Sequence, residues 1–149
     1  MTSIALFQPE IAQNVGTIIR LAACFNMGVD LIHPLGFIFS SKHLKRAGMD
    51  YITSASITHH DDFEHFLLSK IKNKDARIVL FDTQGQSSLY DFTFKKNDIL
   101  LFGKESTGVP SHVLKQAHET VHVPIQGRSL NLAVSCSIAA AFYRNTFHL

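Results

Sequence analysis

The chain has 149 residues, 46% of them hydrophobic and 17% charged, the balance of one globular domain spanning 1–149 rather than of a disordered polymer. No apolar run reaches the roughly 18 residues a bilayer crossing needs, and the N-terminus lacks the basic, apolar, small-residue order of a secretory signal, so a cytoplasmic protein is expected. A net charge of +2 does not by itself mark a nucleic-acid binder, and Cys24 and Cys136, with no CxxC pair, predict buried thiols rather than a disulfide or metal site.

The first apolar run, Ile4 to Phe7, reads as a strand, and a helix is predicted over Asn14 to Phe25. Within it Val15, Ile18, Ile19 and Ala22 form an i, i+3, i+4, i+7 stripe that must face the core, while Gly16 and Arg20 share another face. Glycine at that point costs about 1 kcal/mol relative to alanine, yet lets a ligand or backbone approach the first turn beside Arg20. Taken alone, the segment reads equally well as a helix capped by Asn14 with a solvated arginine.

Gly28 follows a helix end, and Val29 to Ile32 is the second strand. A short helix over Ser41 to Ala47 sets Lys42, Lys45 and Arg46 at i, i+3 and i+4, a cluster able to meet phosphates and equally a solvated basic face. A further strand over Ile52 to Thr58 precedes His59, His60, Asp61 and Asp62, which lack metal-ligand spacing; no metal is expected. Asp61 or Asp62 can cap a helix running to Ile71.

Strands follow at Ile78 to Phe81, Ile99 to Phe102 and Val121 to Ile125, with helices over Pro110 to Ala117 and Asn131 to Arg144. Thr83 to Lys96, which contains GQSS, is the longest stretch without a clear element. The alternation predicts an α/β fold with a mainly parallel sheet.

Ligands of such sheets bind beyond the carboxyl ends of the strands, where three segments stand out: NVGTIIR, LLFGKESTGVP and VPIQGRSLNLAVS. The second is neither a P-loop, because Val109 and not Lys follows Gly108, nor a nucleophile elbow, because its serine lacks flanking glycines. The third leads through GRS into a helix rich in small residues, which Ser129 or Asn131 could cap.

In order, these segments resemble the three motifs of the SPOUT superfamily, in the branch of SpoU-type RNA ribose 2′-O-methyltransferases: N-x-G-x-x-x-R, F-G-x-E-x-x-G-[VLI]-P and I-P-x-x-x-x-S-L-N-[LV]-[AS]-x-[AS]. ALFQPEIAQNVGTIIRLAACF, HPLGF and LKRAGMDY are similar to the small TrmL-like group, which methylates the ribose of the wobble cytidine or uridine of certain tRNAs. The resemblance implies an α/β domain whose C-terminal segment is threaded into a deep trefoil knot, a homodimer, S-adenosylmethionine as cofactor and tRNA as partner. It implies that Arg20 serves the target ribose, with Asn14, Glu105, Ser129 and Asn131 completing the catalytic site. Phe81, Gly103, Val123, Ile125, Ser129 and Leu130 would cradle the cofactor through their backbones, and Arg20, Lys42, Lys45, Arg46 and Arg128 would meet RNA. The competing expectations are the same chemistry at another tRNA or rRNA position, and a noncatalytic RNA-binding module of the same fold.

Overall fold

A computed structural model describes residues 2–40, 42, 55–72 and 75–149 of the chain. The apolar runs form strands β1 (Ser3–Phe7), β2 (Gly28–Ile32), β3 (Ile57–His60), β4 (Arg77–Phe81), β6 (Asp98–Phe102) and β7 (Glu119–His122), with a two-residue strand β5 (Ser87–Ser88) inside the GQSS stretch. They make one seven-stranded sheet in the order β3-β2-β1-β6-β4-β7-β5. All six pairings are parallel, as the alternation of strand and helix predicted.

Parallel strands are covered on both faces, and alternate residues divide accordingly. Ile4, Leu6, Leu100 and Phe102 face helices α1 (Ala12–Phe25) and α4 (Leu132–Thr146). Ala5, Phe7, Leu80 and Leu101 face α2 (Phe63–Ile71) and α3 (Ser111–Leu114). The stripe Val15, Ile18, Ile19 and Ala22 is fully buried in the first layer, as its spacing required.

Several boundaries depart from the sequence reading. Asn14 does not cap α1; the helix starts two residues earlier, behind Ile11, and Asn14 is buried in its first turn. Asn26, in the left-handed conformation at φ 53°, caps the helix end that Gly28 follows, and Gly28 itself opens β2 one residue before the predicted strand. Pro110 caps α3, which lasts one turn and not to Ala117. β7 stops at His122, before Pro124, which has no N–H for a ladder. β3 starts at Ile57 and passes Thr58 by two residues. Asp62 caps α2 by accepting from the His65 amide, and Asn131, not Ser129, caps α4. Cys136 is buried, but Cys24 is exposed, because it follows Ala22 by two residues and so points about 200° away from the buried stripe. Apart from Lys42, the helix expected over Ser41 to Ala47 lies outside the described residues, as does the first part of the strand expected from Ile52.

The connection from β4 to β6 leaves the middle of the sheet, reaches its edge as β5 and returns along α4. On the return Tyr90 stacks on Phe142, Phe94 packs edge-on against Tyr143, and the Tyr143 hydroxyl donates to the Lys96 carbonyl at 2.5 Å. Where this path runs beside β7, a Cβ on Gly85 would collide with the Val121 carbonyl, so only glycine lets the two segments touch there.

Candidate active site

β1 and β6 are neighbours, yet the chain leaves β1 toward β2 on one side and β6 has β4 on the other. Their carboxyl ends therefore diverge into separate loops, the place where open parallel sheets hold ligands. A cleft of about 930 Å³, within the range of small-molecule sites, opens beyond the carboxyl ends of β6, β4 and β7, with Ile11 and Asn14 from the segment after β1 on its wall. It brings together the three segments singled out in the sequence: Asn14 from the first, Gly103 to Gly108 from the second, and Val123 to Asn131 from the third.

Side chains tie these segments together. The Asn14 Nδ2 donates to Glu105 Oε1 at 3.2 Å, and the Asn131 Nδ2 donates to Asn14 Oδ1 at 3.0 Å. The Asn131 Oδ1 meanwhile accepts from the amides of Ala133 and Val134 at 2.9 and 3.3 Å, capping α4. One amide side chain thus fixes a helix start and reaches across 117 positions of sequence to another.

Glu105 acts on α1 in the same way. No side chain near Ile11 caps that helix, and its first turn carries no acidic residue. Instead the Glu105 carboxylate accepts from the Glu10 amide at 2.8 Å and the Ile11 amide at 3.2 Å, placing negative charge at the positive end of the helix. Glu10 returns the contact: its Oε1 accepts from the Ser106 amide at 2.9 Å and the Ser106 hydroxyl at 2.6 Å. The Ser106 hydroxyl, then its amide, and nearby Lys104 hold the Glu10 carboxyl below the usual carboxylate range. Burial, with Glu105 close by, pushes the Cys136 thiol well up, so it is no nucleophile.

Sequence reading missed Glu10 and Ser106. No sequence signal marked them: Asn14 offered a plausible local cap, and the Glu10–Ser106 contact joins loops 96 positions apart.

The cofactor residues expected from the resemblance, Phe81, Gly103, Val123, Ile125, Ser129 and Leu130, all line the cleft. Its apolar floor is the stacked pair Phe81 and Phe102, with ring centroids 4.9 Å apart. A Cβ on Gly103 would come within 2.5 Å of Gly108, so the loop closes tightly on itself and offers main-chain groups rather than side chains. Arg128 and Ser129 are exposed on the cleft wall.

Arg20 stands apart from this group. It lies six residues beyond Asn14, about 240° round α1 and about 9 Å along it, exposed and outside the cleft lining. Lys42 is exposed, while Lys45 and Arg46 lie outside the described residues. Among the described residues no group of three or more His, Cys, Asp or Glu side chains is placed to hold a metal ion, and no helix is long and apolar enough to cross a membrane.

Comparison with known proteins agrees with this arrangement. A tRNA (cytidine(34)-2′-O)-methyltransferase of Beijerinckia indica is 42% identical over 137 residues, 91% of this chain and 85% of that protein. A solved structure concerned with the 2-OH methylation of C/U34 on tRNA is 42% identical, covers 99% of this chain and 97% of its own, and superposes with a TM-score of 0.92. An AdoMet-bound rRNA methyltransferase from Sinorhizobium meliloti is 28% identical, with a TM-score of 0.86, and covers 99% of this chain but 56% of its own. The SpoU rRNA Methylase family pattern matches residues 1–141, and with that match the chain belongs to the SpoU methylase family.

Proposed function

We propose that the protein is a tRNA ribose methyltransferase acting on the 2′-hydroxyl of the wobble cytidine or uridine, with S-adenosylmethionine as methyl donor. The observation that carries this reading is the hydrogen-bonded chain Glu105, Asn14, Asn131, which joins the three motif segments beside a cleft of main-chain groups. The relatives named for position 34 of tRNA support the substrate, and the AdoMet-bound family member supports the donor.

The cleft suits such a donor chemically. Phe81 and Phe102 give an apolar floor for a base, and Gly103, Val123, Ile125, Ser129 and Leu130 can present main-chain donors and acceptors to a nucleoside. When bound, S-adenosylmethionine supplies an electrophilic methyl group on a sulfonium. The chain's own residues must align the ribose oxygen with it and ease the loss of the hydroxyl proton. Arg20 is the residue we assign to the ribose. A guanidinium stays protonated, so its role is to hold phosphate or the developing oxyanion rather than to act as base. Asn14 shapes the cleft edge, Glu105 orders the second loop, and Ser129 and Asn131 position without forming covalent bonds.

The position of Arg20 supports a homodimer. Within one copy its side chain lies about 240° round α1 from Asn14, so a second copy packed on the α1 and α4 face would bring the two together. The exposed Val134, Phe142 and Tyr90 are apolar surface available to such a contact. Arg128, with Lys42, Lys45 and Arg46, would meet tRNA phosphates, and a tRNA substrate supports a cytoplasmic enzyme. The return of residues 89–97 along α4 supports the C-terminal trefoil knot implied by the resemblance.

The test is transfer of labelled methyl from S-adenosylmethionine to total tRNA, with nuclease mapping of the product. Label in the wobble ribose is expected. Label at another position would move the substrate assignment, and no transfer to any RNA despite cofactor binding would leave a noncatalytic RNA-binding module.

A further inference from the structure

Five ionisable side chains line the cleft: Asp82, Lys104, Glu105, His122 and Arg128. Most are committed. Both Glu105 oxygens serve Glu10, Ile11 and Asn14. His122 donates from Nδ1 to the Gly85 carbonyl at 2.8 Å, and the Lys104 ammonium points toward Gln8 Oε1 at 3.4 Å.

Asp82 differs. Its backbone is pinned at the end of β4, with the amide donating to the Val121 carbonyl and the carbonyl accepting from the Gly85 amide, each at 3.0 Å. Its Oδ1 accepts from the Gln84 amide at 2.7 Å, which fixes the side chain in a tight turn. Its Oδ2 accepts no hydrogen bond among the described residues and stands 3.7 Å from where a Cβ on Gly108 would be. A held carboxylate thus presents one open oxygen to the cleft.

The charges explain why that matters. At neutral pH two cations, Lys104 and Arg128, face two carboxylates, Glu105 and Asp82; removing Asp82 leaves an excess of one positive charge. Such a cleft disfavours a cationic ligand relative to a neutral one of the same shape.

We infer that Asp82 makes the cleft selective for the charged methyl donor over its uncharged-sulfur product, a role resting on the methyltransferase reading above. Transfer breaks the sulfonium carbon–sulfur bond, forms the bond from methyl to the ribose 2′-oxygen and releases the hydroxyl proton to solvent. The sulfur left behind is a neutral thioether. Donor and product therefore differ by one methyl group and one positive charge, and a fixed carboxylate separates them by charge. Weaker retention of the product follows, because the attraction that favours the donor is gone once the methyl has left.

Isothermal titration of the full chain with S-adenosylmethionine and with S-adenosylhomocysteine tests this, comparing wild type, Asp82→Asn and Asp82→Glu. Asparagine keeps an acceptor for the Gln84 amide, and melting curves verify that each variant is folded. Asp82→Asn should weaken S-adenosylmethionine about three- to tenfold, the range between screened and unscreened opposite charges within about 10 Å, while S-adenosylhomocysteine stays close to wild type. Asp82→Glu should restore the wild-type preference, and added salt should narrow the gap between the two ligands. Equal weakening of both ligands, or no weakening of the charged one, overturns the inference. A wild-type protein that binds neither ligand overturns the methyltransferase reading itself.

Discussion

Replacing Glu105 by alanine should loosen the whole entrance of the cleft. The carboxylate accepts from the Glu10 amide, the Ile11 amide and the Asn14 side chain, and it is the cap that α1 otherwise lacks. Hydrogen bonds to a charged group contribute about 1.5–3 kcal/mol each where nothing replaces them. Here Glu105 is half-buried and the Ile11 bond is exposed, so water takes over part of the work. About 3 kcal/mol in total is the expected loss, with Glu105→Gln losing roughly half of it because one acceptor oxygen remains. For a chain of this length that is a fall in melting temperature of about 6–12 °C, measured by calorimetry. Hydrogen exchange at Glu10 and Ile11 should quicken before the sheet amides do. A variant melting within about 1 °C of wild type, with those amides still protected, would refute the capping role.

Three further outcomes follow from other contacts. Asn131→Ala should cost about 1–2 kcal/mol in urea unfolding, because it uncaps α4 and removes the donor to Asn14. Arg20→Ala should abolish methyl transfer and leave cofactor affinity, read by titration, nearly intact, since Arg20 lies outside the cleft lining; a matching loss of cofactor affinity would contradict the assignment to the ribose. Burial raises the Tyr143 phenol above its ordinary value. A raised folded value means the stability tied to the neutral phenol is complete below about pH 10 and is lost as pH climbs through the folded value. Tyr143→Phe should therefore flatten the alkaline decline in thermal stability, at a cost near neutrality of about 1 kcal/mol for the lost bond to Lys96.

The parts legible in the sequence were those governed by periodicity. Val15, Ile18, Ile19 and Ala22 had only one face to bury, and the runs ending at Phe7, Phe81 and Phe102 had no polar alternation, so both helix packing and a doubly covered parallel sheet followed; Asp30 in the run ending at Ile32 is the exception, buried and paired with His60 and Lys70. The meeting of Asn14 with FGKESTGVP and GRSLN beyond the carboxyl ends of the strands was legible too, because strand ends collect ligand loops, whereas Arg20 lies outside that cleft. What escaped was set by neighbours distant in sequence. Asn14 looks like a cap in the primary structure, yet a carboxylate 91 positions away does the capping and leaves Asn14 to link two loops. The strand β5 has two residues and no apolar pattern; it exists because the connecting chain passes β7 there. Cys24 was misplaced because an apolar neighbourhood says nothing about which way a helical side chain points.

The exchange of carboxylates between the loops at Glu10 and Glu105 is unequal in what it asks of mutation. Glu105 is answered by the Asn14 side chain and by two backbone amides, which every non-proline residue at positions 10 and 11 supplies, so drift at those two sites leaves the backbone part of the contact intact. Glu10 is answered partly by a hydroxyl, and a change at Ser106 removes it. Positions 10 and 106 should therefore covary across descendants of this chain, while position 105 is insensitive to which residues stand at 10 and 11 and is tied by side chain to position 14.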